Sequence, residues 1–357
     1  MGISEAEANK AFADSGPLYD FTVTHRADNR FGAVWVSYEG GYQVHFRYLD
    51  PSFRDEFGAA LESRVGAVEF RQGGASSLEL LQVAERLRQL RAPVAYGLNF
   101  PEGTVDLHQG SALPRGLIDA AHVRRLDSTP LATPQSNSGA DIWDYRGGNW
   151  FLECTAGWMY KGPGVGGYGT AGHCRDGANF TAYVAGQTGL YSSSSNPFAE
   201  LCPSGGGDYQ MSHLNGGSTQ VKNTAMDKRT YPHPLFGFAI AGGYYVGQPT
   251  LKMGLFNNGA NGSNTGAVTG FTSVTVGANP ECPSGTMTGL EYNNLSAAGD
   301  SGGPIFLSYA GSWFLGATHV AAENGAPGAP GRRWGQWVPW IPLPSGFWIC
   351  TVSNPCN

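Results

Sequence analysis

Charge is scarce in this chain. Asp, Glu, Lys and Arg make up 14 % of its 357 residues, against roughly 25 % in an ordinary soluble domain. A formal net charge of -6 gives no electrostatic case for nucleic acid or an anionic membrane as partner. No apolar run approaches the roughly 18 residues that a spanning helix requires. Cysteine does not occur before Cys154, and no two cysteines have C-x-x-C spacing. A zinc or dithiol redox centre is therefore poorly supported, and neither metal nor cofactor is expected. The N-terminus lacks a secretory leader pattern, since Met1-Gly2-Ile3 runs straight into a polar, acidic segment.

What is present is unevenly spread. Residues 1–137 hold 30 of the 50 charged residues and 13 of the 53 glycines. Residues 138–357 hold the remaining charges, most of the glycine and all six cysteines. Two such compositions imply two domains, 1–127 and 140–357. The Ser/Thr/Pro-rich stretch 128–139 (STPLATPQSNSG) reads as the linker between them. An even cysteine count confined to one Gly-rich domain favours disulfides and an oxidising, extracellular setting. A leader removed from a secreted protein is the matching expectation.

The first domain mixes strand and helix signals. Phe31 to Tyr38 and Tyr42 to Leu49 flank Glu39-Gly40-Gly41 and predict a hairpin. Asp50 followed by Pro51 predicts a helix start, running towards Val65. Ser76 and Glu79 form a capping-box pattern before Leu80, Leu81, Ala84, Leu87 and Leu90, and Pro93 ends that run. With short strands at Val94 to Leu98 and Thr104 to His108, the sum is a small α+β domain. The second domain has almost no helical periodicity. Its runs, such as Tyr244 to Met253, Gly266 to Val276 and Trp313 to Val320, are punctuated by Gly, Asn, Ser and Pro, which argues for an all-β barrel or sandwich.

Two motifs carry chemistry: Thr170-Ala171-Gly172-His173-Cys174 and Gly299-Asp300-Ser301-Gly302-Gly303-Pro304. A serine hydroxyl becomes a nucleophile only when an imidazole takes its proton, and the developing oxyanion needs preorganised N–H donors. Gly299-x-Ser301-x-Gly303 also fits the elbow of α/β-hydrolases, but no Asp or Glu lies between Ser301 and His319, the last histidine, so the order that fold needs is missing.

Both motifs resemble those of chymotrypsin-like serine proteases, in particular the bacterial streptogrisin and α-lytic type. The resemblance implies a double six-stranded β-barrel in 140–357, with His173 as base and Ser301 as nucleophile. It implies an oxyanion hole from the N–H groups of Gly299 and Ser301. Four aspartates lie between His173 and the end of the serine motif: Asp176, Asp208, Asp227 and Asp300. The family's context for its aspartate selects Asp208. The family pairs Cys154 with Cys174, and its loop arrangement pairs Cys202 with Cys282, leaving Cys350 and Cys356.

The resemblance also places Leu295 at the floor of the specificity pocket, with Thr318, His319 and Val320 in its wall. An apolar floor favours a large apolar side chain, while His319 offers an alternative that binds glutamate. A cysteine that braces the pocket in the bacterial type is absent from Leu295-Ser296-Ala297-Ala298. Asp300 needs a cation, and Arg229 is preferred among Arg146, Arg175, Arg229, Arg332 and Arg333. Residues 1–137 match a pro-domain in position and size, with cleavage expected within 128–140. The implied partners are a protein or peptide substrate and the chain's own N-terminal domain as inhibitor. The competing reading is a catalytically silent binding module on the same barrel.

Overall fold

The structure is a computed structural model that describes residues 4–90, 94–128, 131–134, 141–146, 149–155, 157–174, 182–186, 189–204, 207–214, 224–226, 232–234, 243–253, 263–278, 282–296, 300–323 and 331–351.

The chain begins with a helix that the hydrophobic pattern does not announce, α1 (Glu5–His25). Ser4 and Glu7 close a capping box at its start, the Glu7 carboxylate accepting the Ser4 N–H at 2.8 Å. The expected hairpin forms from β1 (Phe31–Ser37) and β2 (Gln43–Tyr48). Asp50 caps α2 (Pro51–Val65) by accepting the Ser52 N–H at 2.9 Å. β3 (Val68–Gln72) then returns parallel to β2. Leu18, Phe21, Phe31, Phe46, Phe53 and Leu61 bury one another between these elements. Ser76 and Glu79 make the second capping box, which opens α3 (Ser77–Leu90). Its Leu80, Val83, Ala84 and Leu87 share one core with Tyr244, Val268, Phe271 and Trp337 from later in the chain.

β4 (Tyr96–Asn99), β5 (Thr104–His108) and β6 (Val123–Leu126) follow, and then β7 (Leu131–Pro134). From Asp141 onward the described residues are nearly all β. β8 (Asp141–Arg146), β9 (Asn149–Thr155), β10 (Trp158–Gly162), β11 (Val165–Thr170), β12 (Ala182–Gly186), β13 (Gly189–Ser204) and β14 (Gly207–Leu214) join the late β23 (Trp348–Ile349) in one sheet. Its order is β23-β10-β11-β14-β13-β12-β8-β9. β15 (Thr224–Met226) and β16 (Pro232–Pro234) form a small two-stranded sheet of their own, with β15 against β10.

β17 (Pro249–Met253), β18 (Ser263–Val276), β19 (Gly285–Tyr292), β20 (Pro304–Tyr309), β21 (Ser312–Ala322) and β22 (Arg333–Trp337) form the second unit. They run in the order β17-β20-β21-β22-β19-β18, all antiparallel, and pairing of β17 with β18 closes the ring. This is a six-stranded antiparallel barrel. The all-β region preceded by an α+β region is the fold class that the sequence pattern led us to expect.

The N-terminal region is laid on this barrel. β4 pairs with β18, Leu98 opposite Phe271, so β4, β5 and β6 prolong the barrel's sheet. Ser15 of α1 meets Ser308 of β20 through their hydroxyls at 2.8 Å, and the Val36 N–H donates to the Val246 carbonyl at 2.8 Å. β7 lies inside the stretch whose composition reads as a linker. It pairs parallel with β18, Leu131 opposite Thr275, and antiparallel with β21, Thr133 opposite Ala322 and Pro134 opposite Ala321. Among the described residues no helix is long and apolar enough to cross a membrane.

Candidate active site

His173 lies on a single helical turn, Gly172–Cys174, just after β11. That turn is fixed from two sides. The Cys154–Cys174 disulfide ties it to the end of β9, with 5.8 Å between the Cα atoms. The His173 backbone N–H donates to Asp208 Oδ1 at 2.9 Å. Gly172 is required by close packing: a Cβ there would come within 2.0 Å of the Leu201 carbonyl and 2.6 Å of Asp208 Oδ1. Asp208 stands near the start of β14, and its own N–H donates to Gln336 Oε1 at 2.9 Å.

The three expected side chains meet. His173 Nδ1 is 2.5 Å from Asp208 Oδ2, and His173 Nε2 is 2.8 Å from Ser301 Oγ. A carboxylate can only accept, so Nδ1 carries the proton and Nε2 is left as the acceptor facing the hydroxyl. All three residues are buried. The Val320 carbonyl oxygen lies 2.9 Å from Ser301 Oγ and offers the same hydroxyl a second acceptor.

Ser301 is held by its neighbours. The Thr155 N–H donates to the Ser301 carbonyl at 2.7 Å, and the Gly302 N–H donates to the His319 carbonyl at 2.8 Å. Gly302 has φ +88, where L side chains are strained. A Cβ on it would stand 2.0 Å from both the Thr155 carbonyl oxygen and Thr170 Oγ1. The serine motif needs its glycine on both counts. Gly299, expected as an oxyanion donor, lies outside the described residues.

Asp300 is fully buried, and its cation is a lysine rather than the expected arginine. Lys252 Nζ donates to Asp300 Oδ2, and both side chains are 0 % exposed. Arg229 lies outside the described residues. Burial pulls the Lys252 ammonium below its usual pKa range, while the Asp300 charge opposes that shift. The correction has a simple cause: Lys252 and Asp300 stand on β17 and just before β20, which pair in the barrel, whereas no sequence spacing relates them.

The expected pocket residues differ in placement. Leu295 is half-buried. The Thr318 hydroxyl accepts from Trp158 Nε1 at 3.1 Å, so it serves the contact between the two sheets. Val320 contributes its carbonyl, as above. His319 is fully buried, with Nδ1 hydrogen-bonded to the Tyr292 hydroxyl. Burial pushes its imidazole well below the ordinary value, and the nearby positive charges of Lys252 and Arg333 push it further. The next residue, Ser296, is buried and accepts a hydrogen bond from Arg333 Nε. Tyr292, Gln336 and Lys252 are the residues of this site that sequence reasoning did not identify, while Arg333 was among the candidate cations for Asp300.

Two of the expected disulfides are present. Besides Cys154–Cys174, Cys202 is joined to Cys282 with Cα atoms 5.6 Å apart. Cys350 is disulfide-bonded, and Cys356 lies outside the described residues. Among the described residues, no group of three or more His, Cys, Asp or Glu side chains is arranged to hold a metal.

No protein-family model matches the chain, and a search of curated proteins found no relative. Solved structures are similar to it at low identity. Protease A of Thermobifida fusca is 19 % identical, with 60 % of this chain and 98 % of that chain covered and a TM-score of 0.40. An alpha-lytic protease homolog, N4, is 20 % identical over 57 % of this chain and 93 % of its own, with a TM-score of 0.38. The protease Anisep from Arthrobacter nicotinovorans is 17 % identical over 59 % of this chain and 91 % of its own, with a TM-score of 0.27. These likenesses are distant, and the functional reading rests on the site's own geometry. A closed six-stranded antiparallel barrel beside a second antiparallel sheet, with the His–Asp–Ser cluster where the two meet, is a chymotrypsin-like fold.

Proposed function

We propose that the chain is a serine endopeptidase of the chymotrypsin-like type. The observation that carries this is the continuous relay from Asp208 Oδ2 through His173, at 2.5 Å and 2.8 Å, to Ser301 Oγ. In the first step Ser301 Oγ attacks a substrate carbonyl carbon while His173 Nε2 takes the hydroxyl proton. Asp208 holds the imidazole in the accepting tautomer and stabilises its cationic form. His173 then gives that proton to the leaving amine, the C–N bond breaks, and an acyl-enzyme remains. Water repeats the sequence and releases the acid. The N–H groups of Ser301 and Gly299 are the oxyanion donors in this reading, each worth on the order of a hundredfold or more in rate.

The N-terminal region is then a pro-region that assists folding and blocks the cleft. Its packing on the barrel supports this, because β4 and α3 complete the barrel's sheet and core. Barrels built from distant contacts fold slowly, which gives a template a physical purpose. The disulfides suit a secreted protein.

A fluorophosphonate probe tests the reading. Wild type is expected to label, and Ser301→Ala is not. If wild type fails to label even after the segment around residue 130 is cut by an added protease, the chain is a binding module on a protease-like barrel.

A further inference from the structure

A cavity of about 320 Å³ lies at the seam between the N-terminal region and the barrel. That is the lower end of small-molecule sites, and a helix, about 10–12 Å across with its side chains, does not fit it. The wall from the N-terminal region is aliphatic, with Leu78 and Leu81 of α3 and Leu98 of β4. The wall from the barrel is aromatic, with Tyr244, Phe271 of β18, Trp337 at the end of β22 and Trp340 just beyond it. Tyr244 meets Trp337 edge-on with 5.3 Å between ring centroids, and Phe271 meets Trp340 edge-on at 4.8 Å. The rings brace one another in the arrangement that aromatic pairs favour. Interiors normally fill to crystal-like density, so a space of this size beside braced rings is room for a guest.

The charges that line the cavity balance. Arg26, just after α1, and Glu85 of α3 supply one of each sign, and Glu85 is already held by Arg88 at 2.7 Å. Neither an anion nor a cation is favoured. The polar group left over is the Tyr244 hydroxyl. Tyr244 is only 5 % exposed, and among the described residues its hydroxyl has no hydrogen-bond partner. Burial holds this phenol well above its ordinary pKa, so it stays a neutral O–H donor. A buried phenol without a partner is uncommon, because the unmade bond costs the full desolvation of the group. A side space of about 10 Å³ that Tyr244 shares with Tyr245 holds at most about one water. A larger partner has to come from the main cavity, and a guest with an acceptor oxygen supplies it.

We propose that this cavity binds an uncharged, flat aromatic molecule that carries one acceptor oxygen, and that the bound molecule clamps the N-terminal region to the barrel. The ring system lies against the aromatic wall, and the oxygen accepts from the Tyr244 hydroxyl. The clamp follows from where the walls originate. Leu78, Leu81 and Leu98 belong to the N-terminal region, while Tyr244, Phe271 and Trp337 belong to the barrel, so the complete site exists only while the two are docked. A ligand that binds only the docked form shifts docking by the factor 1 + [L]/Kd, about tenfold at ten times Kd. No covalent bond is made or broken and Ser301 takes no part, so the inference does not rest on the protease reading.

The test uses the full chain carrying Ser301→Ala, which keeps it intact. The fluorescent naphthyl ketone Prodan is the probe, and β-acetylnaphthalene and β-ethylnaphthalene compete with it. The two competitors share an outline, and only the first has an acceptor oxygen. Saturable binding with a Kd of about 100 μM or tighter is expected, the ketone binding about tenfold more tightly than the hydrocarbon. Adding Tyr244→Phe removes that preference and leaves the affinity for the hydrocarbon unchanged. Adding Leu81→Trp fills the cavity and abolishes binding; if that variant does not fold, the ketone-to-hydrocarbon ratio with and without Tyr244→Phe still decides. Amide hydrogen exchange in α3, read by mass spectrometry, slows about tenfold at ten times the Kd of β-acetylnaphthalene. No saturable binding, equal affinity for ketone and hydrocarbon in the parent chain, or binding that survives in folded Leu81→Trp overturns the site. Unchanged exchange in α3 overturns the clamp. Labelling of Ser301 in the native chain decides the protease reading separately.

Discussion

Lys252→Met removes one half of the dry ion pair beside the nucleophile. Both partners are 0 % exposed, so water cannot solvate the Asp300 carboxylate that is left behind. Breaking a buried pair by deleting one partner costs about 3–5 kcal/mol. That is a large part of a typical folding free energy of about 5–15 kcal/mol. The measurement is equilibrium unfolding in urea in the Ser301→Ala background, which prevents self-digestion. The double variant Lys252→Met with Asp300→Asn removes both charges and is expected to regain most of the loss. The Asp300 carbonyl also accepts the Gly303 N–H at 2.9 Å, so movement of Asp300 is passed to the turn that presents Ser301. In the otherwise native chain, Lys252→Met is expected to slow fluorophosphonate labelling, since a shift of about 1 Å can cost on the order of a hundredfold. A loss below about 1 kcal/mol is the behaviour of an exposed pair and would refute the reasoning. So would a double variant no more stable than the single one.

Other expectations are shorter to state. Gly302→Ala places a methyl 2.0 Å from the Thr155 carbonyl oxygen and Thr170 Oγ1 at φ +88; loss of Ser301 labelling, or failure to fold, is expected from expression and probe assays. Asp208→Asn keeps the fold but favours the wrong imidazole tautomer, and peptide hydrolysis falls by about 10³–10⁴ in kcat, measured by steady-state kinetics at neutral pH. His319, held well below its ordinary 6.5 by burial, stays neutral in the folded chain where the unfolded chain takes a proton. Its contribution to stability is therefore complete above about pH 6.5 and declines as pH falls beneath that value, by up to about 1.4 kcal/mol per unit. His25, His45 and His213 are depressed in the same sense, so the informative quantity is the part of the slope that disappears in His319→Gln, read from urea curves between pH 4.5 and 7.5.

Local rules made much of this architecture legible. Asp50-Pro51 and Ser76-x-x-Glu79 announce helix starts because their chemistry is complete within four residues. The two glycine-rich motifs announce His173 and Ser301 for the same reason. α1 escaped although Ser4-x-x-Glu7 is a capping box too. Gly16 and Pro17 interrupt its middle, and they read as a break. A Cβ on Gly16 would come within 2.9 Å of the Ala310 Cβ, so the glycine answers to a tertiary contact that no local pattern displays. Lys252 sits in a strand where alternation suggests a solvent-facing lysine, yet the closed barrel buries it. Arg333 follows Arg332, whose guanidinium pairs with Glu323 at 2.9 Å on a partly exposed edge. Sequence spacing alone therefore does not separate the buried Arg333 from its partly exposed neighbour. β7 looks like linker because its order comes from β18 and β21, strands far along the chain.

The same placement of β7 bears on what cleavage achieves. Were the chain cut within 128–140, one covalent link would be severed, but β4 on β18, Ser15 on Ser308 and the shared core around Phe271 and Trp337 would be left untouched. The pairing of Thr133 and Pro134 with Ala322 and Ala321 would add to these. A cut chain would thus keep its two regions together through these contacts. Dissociation would have to expose Leu80, Val83, Leu87 and their partners on the barrel, which burial holds together at about 25 cal/mol per Å² of apolar surface. The expected outcome is that both fragments elute together on gel filtration after the cut, with little peptide hydrolysis. Activity should rise only when the N-terminal fragment is destroyed, for example by trypsin directed at its many Arg residues. Fragments that part at micromolar concentration, with full activity at once, would show that the shared core does not hold the regions together and that the cut alone is the switch.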